Sequence, residues 1–155
     1  MKKSIEKIIT FSERGTSKVG SILAKEIKKE EKDNFLILLK GDLGSGKTTF
    51  VKGFARGFGV LKQIQSPSFV IMRRYSLKSK NFRNLFHIDF YRLNKKGKDF
   101  SEKVLLDIIQ KEKKNIFIVE WPEKSSIFKK IKPNIIINFE VVSPKTRLLT
   151  FIFNK

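Results

Sequence analysis

A chain of 155 residues with 34 Lys and Arg against 15 Asp and Glu carries a formal charge of +19, no cysteine and a single histidine. The length suits one domain, residues 1–155, with a core large enough to need no staples. The missing thiols and the lone His87 exclude thiolate metal sites, cysteine nucleophiles and a zinc cluster. Apolar residues alternate with charge from Met1-Lys2-Lys3-Ser4-Ile5-Glu6 onward, with neither a long apolar span nor a signal-peptide layout, so a soluble cytoplasmic protein with no membrane partner is expected.

So basic a balance suggests a polyanionic partner such as RNA. The lysines are nevertheless spread along the chain, as in Lys28-Lys29, Lys95-Lys96 and Lys129-Lys130, rather than gathered into a stripe. The accompanying wealth of Asn, Ile and Phe matches AT-rich codon usage, and solvated surface is the favoured account. The 15 phenylalanines are mainly core, since few are interleaved with arginine as a base-stacking platform requires.

In chain order, Ile8-Ile9-Thr10-Phe11 reads as a first strand, and Ser12 or Thr16 caps a helix with the apolar stripe Val19, Ile22, Leu23 and Ile27, packed beside the central strand. That strand is the continuous apolar run Phe35-Leu36-Ile37-Leu38-Leu39, as expected where both faces are buried. It leads into Gly41-Asp42-Leu43-Gly44-Ser45-Gly46-Lys47-Thr48-Thr49, which fits G-x-x-x-x-G-K-[ST]. After it, Phe50, Val51, Phe54 and Phe58 recur at helical spacing until Gly57 and Gly59 stop the helix. Strand, glycine-rich loop and helix in this order form a phosphate-binding loop, with backbone N–H groups and a helix N-terminus turned to an anion. Lys47 neutralises the outer phosphates and the Thr48 hydroxyl is placed for Mg²⁺.

The polar stretch Gln63-Ile64-Gln65-Ser66-Pro67-Ser68-Phe69 lies where nucleotide switch loops occur and equally suits an ordinary connection to a strand at Phe69-Val70-Ile71-Met72. A hairpin turns near Ser79-Lys80-Asn81 and returns through Leu85 to Phe90, with His87 and Asp89 on one face and Phe86, Ile88 and Phe90 on the other. Asp89 either orients a metal-bound or attacking water, or pairs with Arg92 or caps a turn. His87 reads as a satisfied structural histidine.

A lysine-rich loop is expected over Asn94 to Asp99, then a helix capped by Ser101 and carrying Val104, Leu105, Ile108 and Ile109. The strand Ile116-Phe117-Ile118-Val119 ends in Glu120-Trp121-Pro122, and a carboxylate at a strand's carboxyl end is well placed to hold Mg²⁺ opposite Thr48. The segments 134–142 and 147–153 form an antiparallel hairpin around Ser143-Pro144-Lys145-Thr146. The expected fold is therefore α/β of the P-loop NTPase class, a mixed, mainly parallel sheet flanked by helices.

Taken together, Gly41 to Phe50, Ser66-Pro67-Ser68-Phe69, His87-Ile88-Asp89-Phe90-Tyr91-Arg92 and Val119-Glu120-Trp121-Pro122 resemble the TsaE family, the bacterial ATPases of tRNA threonylcarbamoyladenosine synthesis. The resemblance implies ATP and Mg²⁺ as cofactors, loop residues at Gly41 to Thr49, metal ligands at Thr48 and Glu120, and an essential aspartate at Asp89 beside the catalytic Lys47 and Glu120. It sets Trp121 beside the acid, Ser12 to Thr16 at the adenine end and Arg147 near the nucleotide. Partners TsaB and TsaD follow by the same resemblance, with ATP hydrolysis resetting their complex and tRNA engaged only through it. Ser68 stands where the family usually has threonine, which keeps the hydroxyl. Asn94-Lys95-Lys96-Gly97-Lys98-Asp99 replaces an acidic, glycine-containing segment, which bears on partner contacts rather than on the nucleotide site. A small-molecule kinase is the enzymatic alternative and a nonenzymatic RNA binder the third class. GTP is disfavoured because no Asn-Lys-x-Asp motif occurs.

Overall fold

The structure is a computed structural model that describes residues 2–65, 72–92 and 95–155, without the side chains of residues 95, 96, 98 and 100. Its elements are β1 (Lys3–Thr10), α1 (Glu13–Ile27), β2 (Asn34–Lys40), α2 (Lys47–Gly57), β3 (Met72–Ser76), β4 (Asn84–Asp89), α3 (Lys95–Lys111), β5 (Asn115–Glu120), β6 (Ile135–Val141) and β7 (Arg147–Asn154). All seven strands among the described residues join one sheet in the order β1-β7-β6-β2-β5-β4-β3. The four central strands β6, β2, β5 and β4 run parallel, while β1, β7 and β3 pair antiparallel at the two edges. The result is an α/β fold on a mixed sheet.

The period of two along each strand separates two cores. Phe35, Ile37 and Leu39 of β2, with Ile116 and Ile118 of β5, face α1 and α2 and meet Phe50, Phe54 and Phe58. Leu36 and Leu38, with Phe86, Ile88, Phe117 and Val119, face the other way, where Leu105 of α3 covers them. Both faces of β2 and β5 are therefore covered, which is why these strands read as unbroken apolar runs.

Three expectations are corrected. First, residues 95–99 are not a loop before a cap at Ser101: α3 already spans Lys95–Lys111, and Asn94 lies outside the described residues. Ser101 lies inside it, its hydroxyl donating to the Gly97 carbonyl one turn back at 2.7 Å. That bond satisfies the hydroxyl without ending the helix, and lysines are good helix formers.

Second, Ile22 is 53% exposed and takes no part in the core. The buried line of α1 is Thr16, Gly20, Ala24 and Ile27. Small residues make this face because α1 lies chiefly against α2: a Cβ on Gly20 would stand 2.3 Å from the Phe50 carbonyl oxygen, and one on Gly53 only 1.8 Å from that of Ser17. Third, β1 extends back to Lys3, and Ile9 and Phe11 are 54% and 73% exposed at the sheet edge. The segment at residues 66–71, which contains Ser68, lies outside the described residues.

Candidate functional site

The parallel register brings three strand ends together. Glu120, the last residue of β5, pairs with Leu39 of β2 on one side and with Asp89 of β4 on the other. Leu39 is two residues before Gly41, so the glycine-rich loop and the two carboxylates rise from adjacent strands at the carboxyl edge of the sheet, where open α/β sheets carry their ligands.

The loop is shaped for an anion. Gly41 has φ of 152°, and a Cβ there would lie 2.7 Å from the Phe139 carbonyl oxygen. Gly46 is the N-cap of α2 at φ 102°, with no side chain capping the helix and no acidic residue in its first turn. The positive end of α2 is thus left to a ligand. Among the described residues, the Ser45 hydroxyl is buried without a hydrogen-bond partner.

Lys47 is folded back on this loop. Its ammonium donates to the Gly41 carbonyl and, at 2.9 Å, to that of Asp42, and lies 4.5 Å from the centre of the Trp121 ring. Burial lowers its pKa, against the attraction of Glu120 and Asp89. The Thr48 hydroxyl donates to Glu120 Oε1 at 3.2 Å, while His87 Nε2 stands 3.6 Å from Glu120 Oε2. Burial opposes ionisation of Glu120, but His87, Lys47 and Thr48 outweigh it and hold the carboxyl below its ordinary value.

Asp89 Oδ1 accepts from the Tyr91 N–H at 2.9 Å, so this carboxylate does cap a turn. Burial raises its pKa in spite of that bond, and the neighbouring Glu120 raises it further. Trp121 takes left-handed backbone angles, φ 56° and ψ 48°, before Pro122. Its ring lies 4.9 Å from that of Tyr91, centre to centre and tilted by 37°, and Lys124 lies over both rings.

One cavity of about 760 Å³ gathers these groups, within the ~300–1,000 Å³ usual for small-molecule sites. Ser12, Thr16, Leu43 and Gly44 line it, as do Ser45, Gly46, Lys47, Thr48 and Thr49 and, from the strand ends, Asp89, Glu120, Trp121 and Arg147. Gly41 and Asp42 contribute through the carbonyls that hold Lys47. At the far end Ser12 caps α1 by accepting from the Gly15 N–H at 3.0 Å, and Thr16 is buried against the Thr10 hydroxyl at 2.7 Å. Arg147 ties the β6–β7 turn to the loop, its guanidinium donating to the carbonyls of Ser143, Pro144 and Thr146 and, at 3.1 Å, to that of Gly44.

The lining also includes Glu13 and Arg14 from the Ser12 to Thr16 stretch, and Tyr91, Arg92, Pro144 and Lys145, which sequence reasoning did not assign to the site. Of these last four, Tyr91 and Arg92 had a signal, two and three residues beyond Asp89 at a strand end; Pro144 and Lys145 come from the β6–β7 turn that faces the loop across the cavity.

The family model "Threonylcarbamoyl adenosine biosynthesis protein TsaE" matches residues 10–148. The chain belongs to the TsaE family. Similar proteins include the tRNA threonylcarbamoyladenosine biosynthesis protein TsaE of Rickettsia felis, 34% identical over 95% of this chain and 80% of the relative. That of Aquifex aeolicus is 33% identical over 92% of both chains. The fold is that of Bacillus subtilis YdiB, whose crystal structure matches with a TM-score of 0.69 and 24% identity over 99% of this chain and 88% of that one. The family's place in threonylcarbamoyladenosine biosynthesis is thus this chain's own. Among the described residues, no helix is long and apolar enough to cross a membrane.

Proposed function

We propose that this TsaE protein is a Mg²⁺-dependent P-loop ATPase, cytoplasmic, that hydrolyses ATP to reset a TsaB–TsaD synthase complex between cycles of tRNA modification. The observation that carries the reading is the Thr48 hydroxyl 3.2 Å from the Glu120 carboxylate at the mouth of an uncapped helix. A hydroxyl and a carboxylate are hard oxygen donors. Magnesium commonly takes one or two such groups and completes its shell with water and phosphate oxygens, so the residues present fit the ion. When bound, it would supply charge neutralisation on the outer phosphates.

The chain's own residues supply the remaining parts. Backbone N–H groups of the loop and of the first turn of α2 cradle the phosphates, with the Ser45 hydroxyl beside them. Lys47 leaves the Gly41 and Asp42 carbonyls and neutralises developing charge on the terminal phosphoryl group. Asp89, facing the same cavity, orients the attacking water and accepts its proton. The new bond joins that water oxygen to the γ-phosphorus, and the bond to the bridging oxygen breaks with its electron pair leaving on ADP. The base and ribose lie toward Ser12, Thr16 and the β6–β7 turn, with Trp121 flanking the phosphate end.

Steady-state ATP hydrolysis by the purified chain, alone and with TsaB and TsaD from its own organism, tests this, with Lys47→Ala as the contamination control. Weak activity raised by the partners is expected. Turnover indifferent to the partners but stimulated by a small metabolite, with a phosphorylated product, would replace the proposal by a small-molecule kinase.

A further inference from the structure

His87 is the chain's single histidine and is fully buried, and among the described residues neither ring nitrogen has a hydrogen-bond partner. A buried imidazole without a partner is costly, and a residue needed only for volume has a cheaper form in this protein, which fills the neighbouring positions Phe86 and Phe117 with phenylalanine. His87 lies on the α2 face of β4, in register with Ile118, one step back along the sheet from the pair Asp89 and Glu120. Its Nε2 is directed at Glu120 Oε2, 3.6 Å away, while Oε1 of the same carboxylate accepts from Thr48 at 3.2 Å. The two oxygens of Glu120 therefore have different neighbours, one inward and one toward the cavity.

We infer that His87 is a positioning residue for Glu120: its Nε2–H, 3.6 Å from Oε2, attracts that oxygen inward and so favours the rotation of the carboxylate that keeps Oε1 beside Thr48. An ionised carboxylate only accepts, so the proton must sit on Nε2. A carboxylate drawn inward by one oxygen presents the other in a preferred orientation, and partners in that outer position commonly govern metal affinity by about 10–100-fold. The inference rests on Thr48 and Glu120 being the magnesium ligands.

Because His87 is the lone imidazole, the intact protein reports on it directly. Nitrogen NMR of ¹⁵N-histidine-labelled protein should show the Nε2–H tautomer, and its signal should move when Mg²⁺ is added to the ADP-bound chain. An unprotonated Nε2, or a signal unmoved while Mg²⁺ saturates, overturns the inference.

Binding supplies the second readout. In titrations of Mg²⁺ into ADP-saturated protein, followed by Trp121 fluorescence, His87→Phe should raise the half-saturating concentration about tenfold. His87→Gln, whose amide N–H can take the place of Nε2–H, should stay within about threefold of the parent. Both should bind metal-free ADP as the parent does. Parent-like Mg²⁺ binding by His87→Phe, or equal losses in both variants, overturns the inference; if His87→Phe does not fold, the NMR result and His87→Gln decide. Failure of the parent protein to bind Mg²⁺ with ADP overturns the ATPase proposal and this inference together, whereas normal binding with a silent His87 overturns this inference alone.

Discussion

Asp89 and Glu120 stand side by side at the ends of β4 and β5, yet their surroundings push them in opposite directions: Asp89 is raised by burial and by Glu120, while Glu120 is lowered because His87, Lys47 and Thr48 overcome its burial. One carboxylate is held ionised by its partners, and the other is a charge that the ligand-free fold disfavours.

A stability difference follows from that asymmetry. With its folded pKa raised, Asp89 favours the fold at acid pH and loses that contribution as pH rises from the ordinary value of 3.8 through the folded value. Glu120, lowered, acts with the opposite sign and favours the fold above 4.5. Asp89→Asn keeps an oxygen for the Tyr91 N–H and removes the charge. Its Tm should exceed the parent's by about 1–4 °C near neutral pH, with the gap closing toward pH ~4 and ATP turnover falling at least ~100-fold. Thermal melts from roughly pH 4 to 7 check the sign, and a variant less stable than the parent at pH ~7 would contradict it.

Glu120→Gln keeps an acceptor for Thr48 but removes the anion opposite it. ATP turnover should fall by at least ~100-fold and the Mg²⁺ requirement should rise about tenfold or more, with metal-free ADP binding retained. Full turnover in this variant would place the metal elsewhere. Calorimetric titration of ADP with and without Mg²⁺ separates the two effects.

Arg147 reaches the loop through the Gly44 carbonyl, so its guanidinium acts as a strut between the β6–β7 turn and the loop. Arg147→Gln should raise KM for ATP about 3–10-fold with kcat nearly unchanged. Arg147→Lys restores the charge without the planar fork and should rescue little. Substantial rescue by lysine would show that charge alone matters.

Gly53 offers a test of packing. By helix propensity, Gly53→Ala gains up to ~1 kcal/mol. The added Cβ, however, would lie 1.8 Å from the Ser17 carbonyl oxygen, inside the α1–α2 contact. Overpacking against backbone costs ~1–3 kcal/mol or more, so Tm should fall by about 5 °C or more. An unchanged or raised Tm in a thermal melt would mean that the two helices separate at little cost.

Local chemistry made much of this protein legible from its residues. The buried strand β2, the loop from Gly41 to Thr49 and helix α2 are encoded by consecutive residues, as are Glu120 at the end of an apolar run and the hairpin of β6 and β7. Each needs only short-range periodicity, glycine conformation or a turn. The four motifs that carry the family resemblance are equally local, and together they nominate Lys47, Thr48, Asp89 and Glu120 from the sequence alone.

What tertiary structure alone decided are relationships between distant segments. Strand order and register put Asp89 beside Glu120 and set His87 one step behind, and no spacing along the chain specifies which strands become neighbours. Because of that pairing, a histidine read as satisfied is buried facing a carboxylate, without a hydrogen-bond partner among the described residues. The buried line of α1 likewise runs through Thr16, Gly20 and Ala24 to Ile27 and leaves Ile22 outside, because close approach to α2 at Gly20 leaves no room for a larger side chain. The Arg147 strut joins residues 103 positions apart, a contact made only when the sheet brings β7 alongside the loop.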